Sequence, residues 1–465
     1  MPGVPSGRAC DACRKQKKKC DEKQPACGRC LRLKVNCVGS GQQRYMFKQE
    51  RLSPKSHRSG QSTLVLRPTS NKRELPALNI PRACPATYIT LLTNSFVGII
   101  KRSTDLRFNL WWSFGIFLEE VPRRLGSNEA LDRAVDAVTT AHADFCTHRQ
   151  ASVQALSKYS HALTTLRLYL DDPLQASASD TLCAVMILLV CQTFISNDGQ
   201  TISGHAQGAA NILHARKNFG PRDDFERKLF LSLRGSVLFE GLYNDAIDLS
   251  AEEWEALVDN DYDQNLPEGQ ILRCLARAPV LLKRGRGAIR DGQDLTSLAE
   301  ETRPIYERCK TILAELKART VEHESSALST VQGTFMARIL RAHYLRTYGI
   351  GLAITAFFNC MCQALDPNDI TCVTESRYLV EEILLHAQVS NIYRPVGAGY
   401  ILMCLSAAWA VTADPQLRSM VEATFTDYQG DFVSHSGVNI SQELELASQK
   451  LWLGSNARLR SGLSP

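Results

Sequence analysis

Six cysteines in the first 37 residues constrain this chain more than any other feature: Cys10, Cys13, Cys20, Cys27, Cys30 and Cys37. They read C-x2-C-x6-C, then six residues, then C-x2-C-x6-C, so one half-motif occurs twice at an offset of 17 residues. The segment from Arg8 to Val38 has few large apolar groups (Leu31, Leu33, Val35 and Val38). Chains shorter than about 40 residues usually need metals or disulfides to fold. The N-terminus is polar and basic, with no apolar core of a secretory signal, which predicts a reducing, intracellular compartment. There the six cysteines are expected to bind metal rather than pair as disulfides.

Zinc is the natural cross-link, and two tetrahedral zincs need eight ligand positions. Six thiolates fill eight positions only if two of them bridge. The duplication offers one equivalent bridge per half, Cys10 and Cys27. One zinc then takes Cys10, Cys13, Cys20 and Cys27; the other takes Cys27, Cys30, Cys37 and Cys10. A single zinc on Cys10, Cys13, Cys27 and Cys30 also fits the spacing C-x2-C-x13-C-x2-C. It leaves Cys20 and Cys37 free at matching positions, and that equivalence favours two zincs.

The halves differ chemically. After its C-x2-C the first reads Arg14-Lys15-Gln16-Lys17-Lys18-Lys19, and the second reads Leu31-Arg32-Leu33-Lys34-Val35-Asn36. Each is expected to form a short helix leaving its cysteine pair. The cationic one should face phosphates, and the other should pack on the cluster. Pro25, two residues before Cys27, can shape the connecting turn, for instance through a cis bond.

This array resembles the zinc binuclear cluster DNA-binding domain of fungal transcription factors. The cysteine spacing, the basic first helix, Asp21 after the third cysteine and Pro25 before the fourth carry the likeness. The resemblance implies two zinc ions, a nuclear protein, and a first helix that reads a CGG-type triplet in the major groove of double-stranded DNA. In the family the lysine four residues after the second cysteine contacts guanine, and that position is Lys17, with Lys18 beside it. Guanine O6 and N7 are acceptors that a lysine can reach together. Arg14, Lys15 and Lys19 are then expected on phosphates. The preceding position, often Lys or Arg in the family, is Gln16, so the likeness does not extend to fine sequence preference.

Charge separates this head from the rest. Residues 1–75 carry 18 Lys/Arg against 5 Asp/Glu, whereas the remainder carries 36 against 43. A polyanionic partner is thus expected for the head alone. The sequence predicts a cluster domain over 8–38, a flexible basic linker over 39–86, an all-α regulatory domain over 87–455 and a disordered tail over 456–465. No heptads follow the cluster, so the head is expected to act as a monomer or through a homodimer made by the body.

The body is expected to be helical almost throughout. Val153, Leu156, Leu163, Leu166 and Leu170 share one helix face, and Asp171-Asp172-Pro173 ends that helix. Ser179 or Asp180 can cap a central apolar helix, Thr181–Ile195. Ser203 can cap another that buries Ala206, Ala209, Ile212 and Leu213, with Arg216 and Lys217 suiting its C-terminus. Later helices are expected near 226–242, 298–318, 328–365, 373–390, 396–413 and 414–428. The apolar runs near 182–195, 349–362 and 397–411 fall short of a membrane span. The ten scattered cysteines, Cys84 to Cys404, read as buried core thiols. Lys283-Arg284-Gly285-Arg286-Gly287 reads as a basic surface turn.

Around Ser203-Gly204-His205-Ala206 the body loosely resembles the helical regulatory domain that follows the cluster in fungal factors. His205 is expected to be structural, because no catalytic constellation accompanies it. Residues 243–268 hold nine acidic and no basic residues, with Tyr243, Trp254, Leu257 and Tyr262 among them. They are either a solvated loop or an activation segment for a coactivator. The whole reads as a non-enzymatic, zinc-dependent RNA polymerase II regulator of a metabolic gene set, an activator by family tendency. A zinc-dependent RNA or single-strand binder is a poorer fit, since residues 8–37 contain no stacking aromatic. An enzyme with a zinc head would need a catalytic constellation that is absent from the sequence.

Overall fold

The computed structural model describes residues 4–6, 9–38, 44–46, 87–101, 105–148, 151–195, 203–216, 219–329, 335–366, 369–432, 442 and 444–445. Most of the expected linker, all of the expected tail, Cys84 and Lys217 lie outside them. The chain divides into two units, Met1–Ile80 and Pro81–Pro465.

The first unit contains β1 (Val4–Ser6), α1 (Asp11–Lys15), α2 (Gly28–Leu33) and β2 (Arg44–Met46). The strands pair antiparallel, with Pro5 opposite Tyr45. The stretch expected as a linker therefore includes a strand at 44–46.

The second unit is built from helices, with no strand among its described residues. They run α3 (Tyr88–Lys101), α4 (Leu110–Phe114), α5 (Glu129–His148), α6 (Val153–Leu170), α7 (Pro173–Ala176), α8 (Ser179–Ile195), α9 (Ser203–His214) and α10 (Asp224–Tyr243). There follow α11 (Ala251–Val258), α12 (Pro267–Ala276), α13 (Ala278–Arg290), α14 (Thr296–Ser329), α15 (Phe335–Leu365), α16 (Ile370–Ser390), α17 (Ile401–Val411) and α18 (Pro415–Gln429).

Two helices are hubs. α8 is buried on every side from Thr181 to Gln192 and packs on α5, α6 and α9, as an all-round apolar helix must. α15 packs on α12, α14, α16 and α17. By length and composition α15 could cross a membrane, contrary to the sequence expectation, but 89% of its apolar window is buried inside the body. Its hydrophobicity is used in core packing.

α6 spans the expected residues, but its buried face is rotated part of a turn from the expected one. Leu166 is buried and Leu163 packs on the core as expected, whereas Val153 is 84% exposed, Leu156 and Leu170 are exposed too, and Ala155, Ala162 and Thr165 are buried in their place. α6 packs on α5, in which Ala130, Ala134, Ala137 and Ala141 are fully buried. Small residues on both helices permit a close approach that leucines would prevent. Lys158 of α6 also pairs with Asp136 of α5 at 2.8 Å.

The expected α8 caps serve a polar knot instead. Ser179 Oγ donates to Glu226 at 2.8 Å, and Asp180 accepts from Arg124 at 2.8 Å. Arg216 does not solvate the C-terminus of α9; it lies fully buried, 3.1 Å from Glu226. Glu226 thereby ties α8, α9 and α10 together. The face of α9 is as expected, with Ala206, Ala209, Ile212 and Leu213 buried.

His205 is structural, as its sequence setting suggests: Nε2 lies 2.7 Å from the Tyr159 hydroxyl. His386 lies 3.0 Å from the Tyr400 hydroxyl. Burial holds both imidazoles down to about 4. Below about pH 6.5 the unfolded chain takes protons that the folded one refuses, so stability falls with acidification until the folded imidazoles titrate near 4. Each histidine contributes a slope of about 1.4 kcal/mol per pH unit in that window. Burial also lowers His142; chemical denaturation from pH 7 to 4.5 should show this loss, and His205→Gln should remove the His205 share of it. An unchanged slope in that variant would contradict the assignment.

Candidate metal centre and nucleic-acid face

The duplicated motif folds into duplicated geometry. In the first half Arg14 N–H donates to the Cys10 carbonyl at 3.0 Å; 17 residues on, Leu31 N–H donates to that of Cys27 at 3.1 Å. Each helix then stops in the same way. Lys17 N–H reaches the Arg14 carbonyl and Lys18 N–H the Cys13 carbonyl; Lys34 and Val35 repeat this on Leu31 and Cys30. The turning residues, Lys17 and Lys34, sit at φ 52° and 50°. This is a Schellman stop, with lysine in the left-handed position more often held by glycine.

The third cysteine of each half closes the unit. Cys10 N–H points at Cys20 Sγ at 3.5 Å, and Cys27 N–H at Cys37 Sγ at 3.2 Å. The helix starts differ by one substitution of kind. Gly28 N–H donates to the Asp21 carboxylate at 3.1 Å, whereas Asp11 N–H donates to the Val38 carbonyl at 3.0 Å. A Cβ at Gly28 would lie 2.8 Å from Asp21 Oδ2, so the capping carboxylate and the glycine belong together. The Gln24–Pro25 bond is cis.

The six sulfurs converge as two overlapping sets of four: Cys10, Cys13, Cys20 and Cys27, and Cys10, Cys27, Cys30 and Cys37. Within each set all sulfurs lie within 4.8 Å of one another. Cys10 Sγ is 3.7 Å from Cys27 Sγ and 3.6 Å from Cys30 Sγ, and Cys13 Sγ is 3.7 Å from Cys27 Sγ. Zn–S bonds of about 2.3 Å at tetrahedral angles put thiolates about 3.8 Å apart, whereas a disulfide needs about 2.05 Å. The sulfurs are therefore spaced for shared tetrahedral zinc. Backbone amides of Cys13 and Cys30 hold the two shared thiols, Cys10 and Cys27, below the usual thiol range.

The cations lie differently from the sequence expectation. α1 ends at Lys15, so only Arg14 and Lys15 of the basic run are helical. Lys17 is the turn, and Lys18 and Lys19 follow outside any helix or strand. All six residues from Arg14 to Lys19 are exposed. Arg14 pairs with Asp11 at 3.2 Å, and Gln16 accepts from Arg29 at 2.9 Å. Among the described residues no carboxylate lies within ion-pair distance of Lys15, Lys17, Lys18 or Lys19. Four uncompensated ammonium groups on one exposed run make a polyanion-binding face.

α2 does not pack on the cluster as expected. Leu31 is 64% exposed, and Leu33, Val35 and Val38 are exposed too. Among the described residues the buried centre of the head is Cys10, Cys13, Cys27 and Cys30. A short helix that aims Cys30 inward turns its next residue about 100° away, and the sulfurs already fill the space.

In the body, Cys183, Cys191, Cys274, Cys309, Cys360, Cys362, Cys372 and Cys404 are buried as expected, whereas Cys146 is exposed. The acidic segment is ordered around one helix, α11, with turns and irregular chain on either side of it. Ser250 and Glu253 form a capping box that starts α11, and Trp254, Leu257 and Val258 are buried. The run 283–287 is part of α13, not a turn; Lys283 pairs with Asp248 at 2.7 Å and Arg284 with Glu301 at 2.5 Å.

Residues 8–45 match the family model for the fungal Zn(2)-Cys(6) binuclear cluster domain. No curated protein and no solved structure matches the chain significantly.

Proposed function

We propose a function from the premise that this chain carries a fungal Zn(2)-Cys(6) binuclear cluster domain, which binds two zinc ions and marks a DNA-binding regulator of transcription. In the proposal, Cys10 and Cys27 bridge the zincs, Cys13 and Cys20 complete one site, and Cys30 and Cys37 complete the other. The zincs supply the cross-links that a core would otherwise provide. The protein acts in the nucleus on double-stranded DNA, reads CGG-type sites and regulates a metabolic gene set.

The observation that carries this reading is the exposed lysine run held at a fixed place on the two sulfur sets. Lys17 sits on a turn whose φ and hydrogen bonds are set by the cluster, so its ammonium group is presented from a rigid base. In the proposal Lys17 and Lys18 reach guanine O6 and N7, and Arg14, Lys15 and Lys19 hold phosphates. Arg14 must then share its guanidinium with Asp11.

Binding of the full-length chain to a CGG-containing duplex, a scrambled duplex and an RNA of equal length tests this. Lys17→Gly keeps the left-handed turn while removing the side chain. It should lose roughly 1–3 kcal/mol on the CGG duplex and relax its preference. Lys15→Ala should weaken both duplexes alike and lower the salt slope by about one unit. Equal losses on specific and scrambled DNA for Lys17→Gly would remove Lys17 from base reading. Tighter binding to RNA than to either duplex would overturn the DNA assignment.

Of the apolar residues in 243–268, Trp254 and Leu257 lie in the core, whereas Tyr262 and Leu266 are exposed. In the proposal the regulatory output comes from the folded body, with the exposed part of 243–268 as a coactivator contact.

A further inference from the structure

An open cleft of about 1150 Å³ lies on the body between α11, α12 and α14, ample for a small molecule. Two helix faces wall it. α12 contributes Gln270, Arg273, Cys274 and Arg277, and α14 contributes Glu301, Pro304, Ile305 and Arg308. Each set runs i, i+3, i+4, i+7, so its four side chains project to one side of the helix. α11 supplies the third wall, with Glu255 and Asp259 one turn apart. Ala256, Val258, Pro304 and Ile305 give the cleft apolar surface between these charges.

The charges differ in their commitments. Arg273 pairs with Asp259 at 3.2 Å and ties α11 to α12. Glu301 pairs with Arg284 of α13 at 2.5 Å. Among the described residues no carboxylate lies within ion-pair distance of Arg277 or Arg308, and no cation lies within that distance of Glu255. Arg308 donates to the neutral side-chain oxygen of Gln270 at 2.6 Å, which holds the guanidinium against α12 and leaves its charge uncompensated. Arg277 sits where α12 passes into α13, its N–H donating to the Cys274 carbonyl at 3.2 Å. Gln270 and Arg277 are two turns apart, about 10 Å of helical rise. The cleft therefore presents two free guanidinium groups along α12 and one free carboxylate on α11.

We propose that this cleft binds a small amino dicarboxylate, with one carboxylate on Arg277, the other on Arg308 and the ammonium group on Glu255. Two free positive charges and one free negative charge are the complement of a ligand with two carboxylates and one amine. A guanidinium group presents paired N–H donors that match the two oxygens of a carboxylate. A monocarboxylate leaves one of the two arginines unpaired. The apolar surface between the charges takes the methylene chain of the ligand. Arginines anchored two helical turns apart favour a chain longer than that of aspartate. The site lies wholly in the body, so this inference stands apart from the reading of DNA by the head.

Isothermal titration calorimetry of the zinc-loaded full-length chain tests it with aspartate, glutamate, 2-aminoadipate and 2-aminopimelate, which lengthen the ligand from four carbons to seven. The expected result is saturable binding that tightens along the series to a dissociation constant at or below about 1 mM. Pimelate, which lacks the amino group, should bind about tenfold more weakly than 2-aminopimelate. Arg277→Gln and Arg308→Gln should each weaken 2-aminopimelate about tenfold, and Glu255→Gln should erase its advantage over pimelate. All three side chains are exposed, so without ligand these variants should melt like the unmodified chain. Absence of saturable binding by all four amino diacids would overturn the proposal. So would equal affinity for pimelate and 2-aminopimelate, tightest binding of aspartate, or undiminished binding when both arginines are replaced.

Discussion

Chelating zinc from the full-length chain should unfold residues 9–38 and abolish specific DNA binding, while the helical body stays folded. Among its described residues the head has no apolar core to fall back on. Among the described residues its four buried side chains are cysteines, and Ala12, Cys20 and Cys37 pack against them. Structural zinc contributes about 10–16 kcal/mol in small metal-organised domains, more than a whole domain of ordinary size usually retains. The body has its own continuous core, and among the described residues none of its cysteines joins a metal-binding group. Far-UV circular dichroism should therefore change little on chelation, while affinity for the CGG duplex collapses and returns when zinc is restored. The two sets also predict an order among the ligands. Cys27→Ala, which removes a sulfur common to both sets, should cost more zinc than Cys13→Ala, which touches one. Specific binding that persists without zinc would sink the metal-organised reading.

Trp254→Ala should be the most damaging single change in the acidic segment, and it should act through stability. Trp254 is 1% exposed, and its ring packs so closely on α10 that a Cβ at Gly241 would lie 2.5 Å from it. Truncating a buried tryptophan costs about 3–5 kcal/mol from lost transfer energy and the cavity left behind. Thermal or denaturant melting of the body should shift accordingly, with zinc content and head affinity for DNA unchanged. A reporter fusion should lose output in proportion to the lost abundance of folded protein. Loss of output at unchanged stability and abundance would instead place Trp254 itself in the coactivator contact.

The metal centre was legible in the sequence because tetrahedral coordination and a duplicated spacing leave few arrangements. Counting eight positions over six cysteines points to Cys10 and Cys27 as common to both sets, and their sulfurs are common to both. The extent of α1 was not legible, because Lys17 and Lys18 carry no stop signal of their own; the helix ends where the cluster needs Cys20 to return. In the body, helix ends marked by proline or by aspartate, as at 171–173, could be read directly. The buried face of α6 could not, since it depends on how α6 packs against α5 and α8, which its own periodicity does not show. α11 had a readable signal in Ser250 and Glu253, a capping box that the acidic composition obscured. α13 had none: its glycines and arginines suggest a turn, and only the carboxylates at Asp248 and Glu301 make it a surface helix.

The central claim is that six cysteines hold two zincs through two shared sulfurs. Native mass spectrometry of the full-length chain, combined with alkylation mapping, tests it most directly. The expected result is two zinc ions per chain, with none of the six head thiols alkylated until zinc is removed. One zinc per chain, with Cys20 and Cys37 open to alkylation, would contradict it.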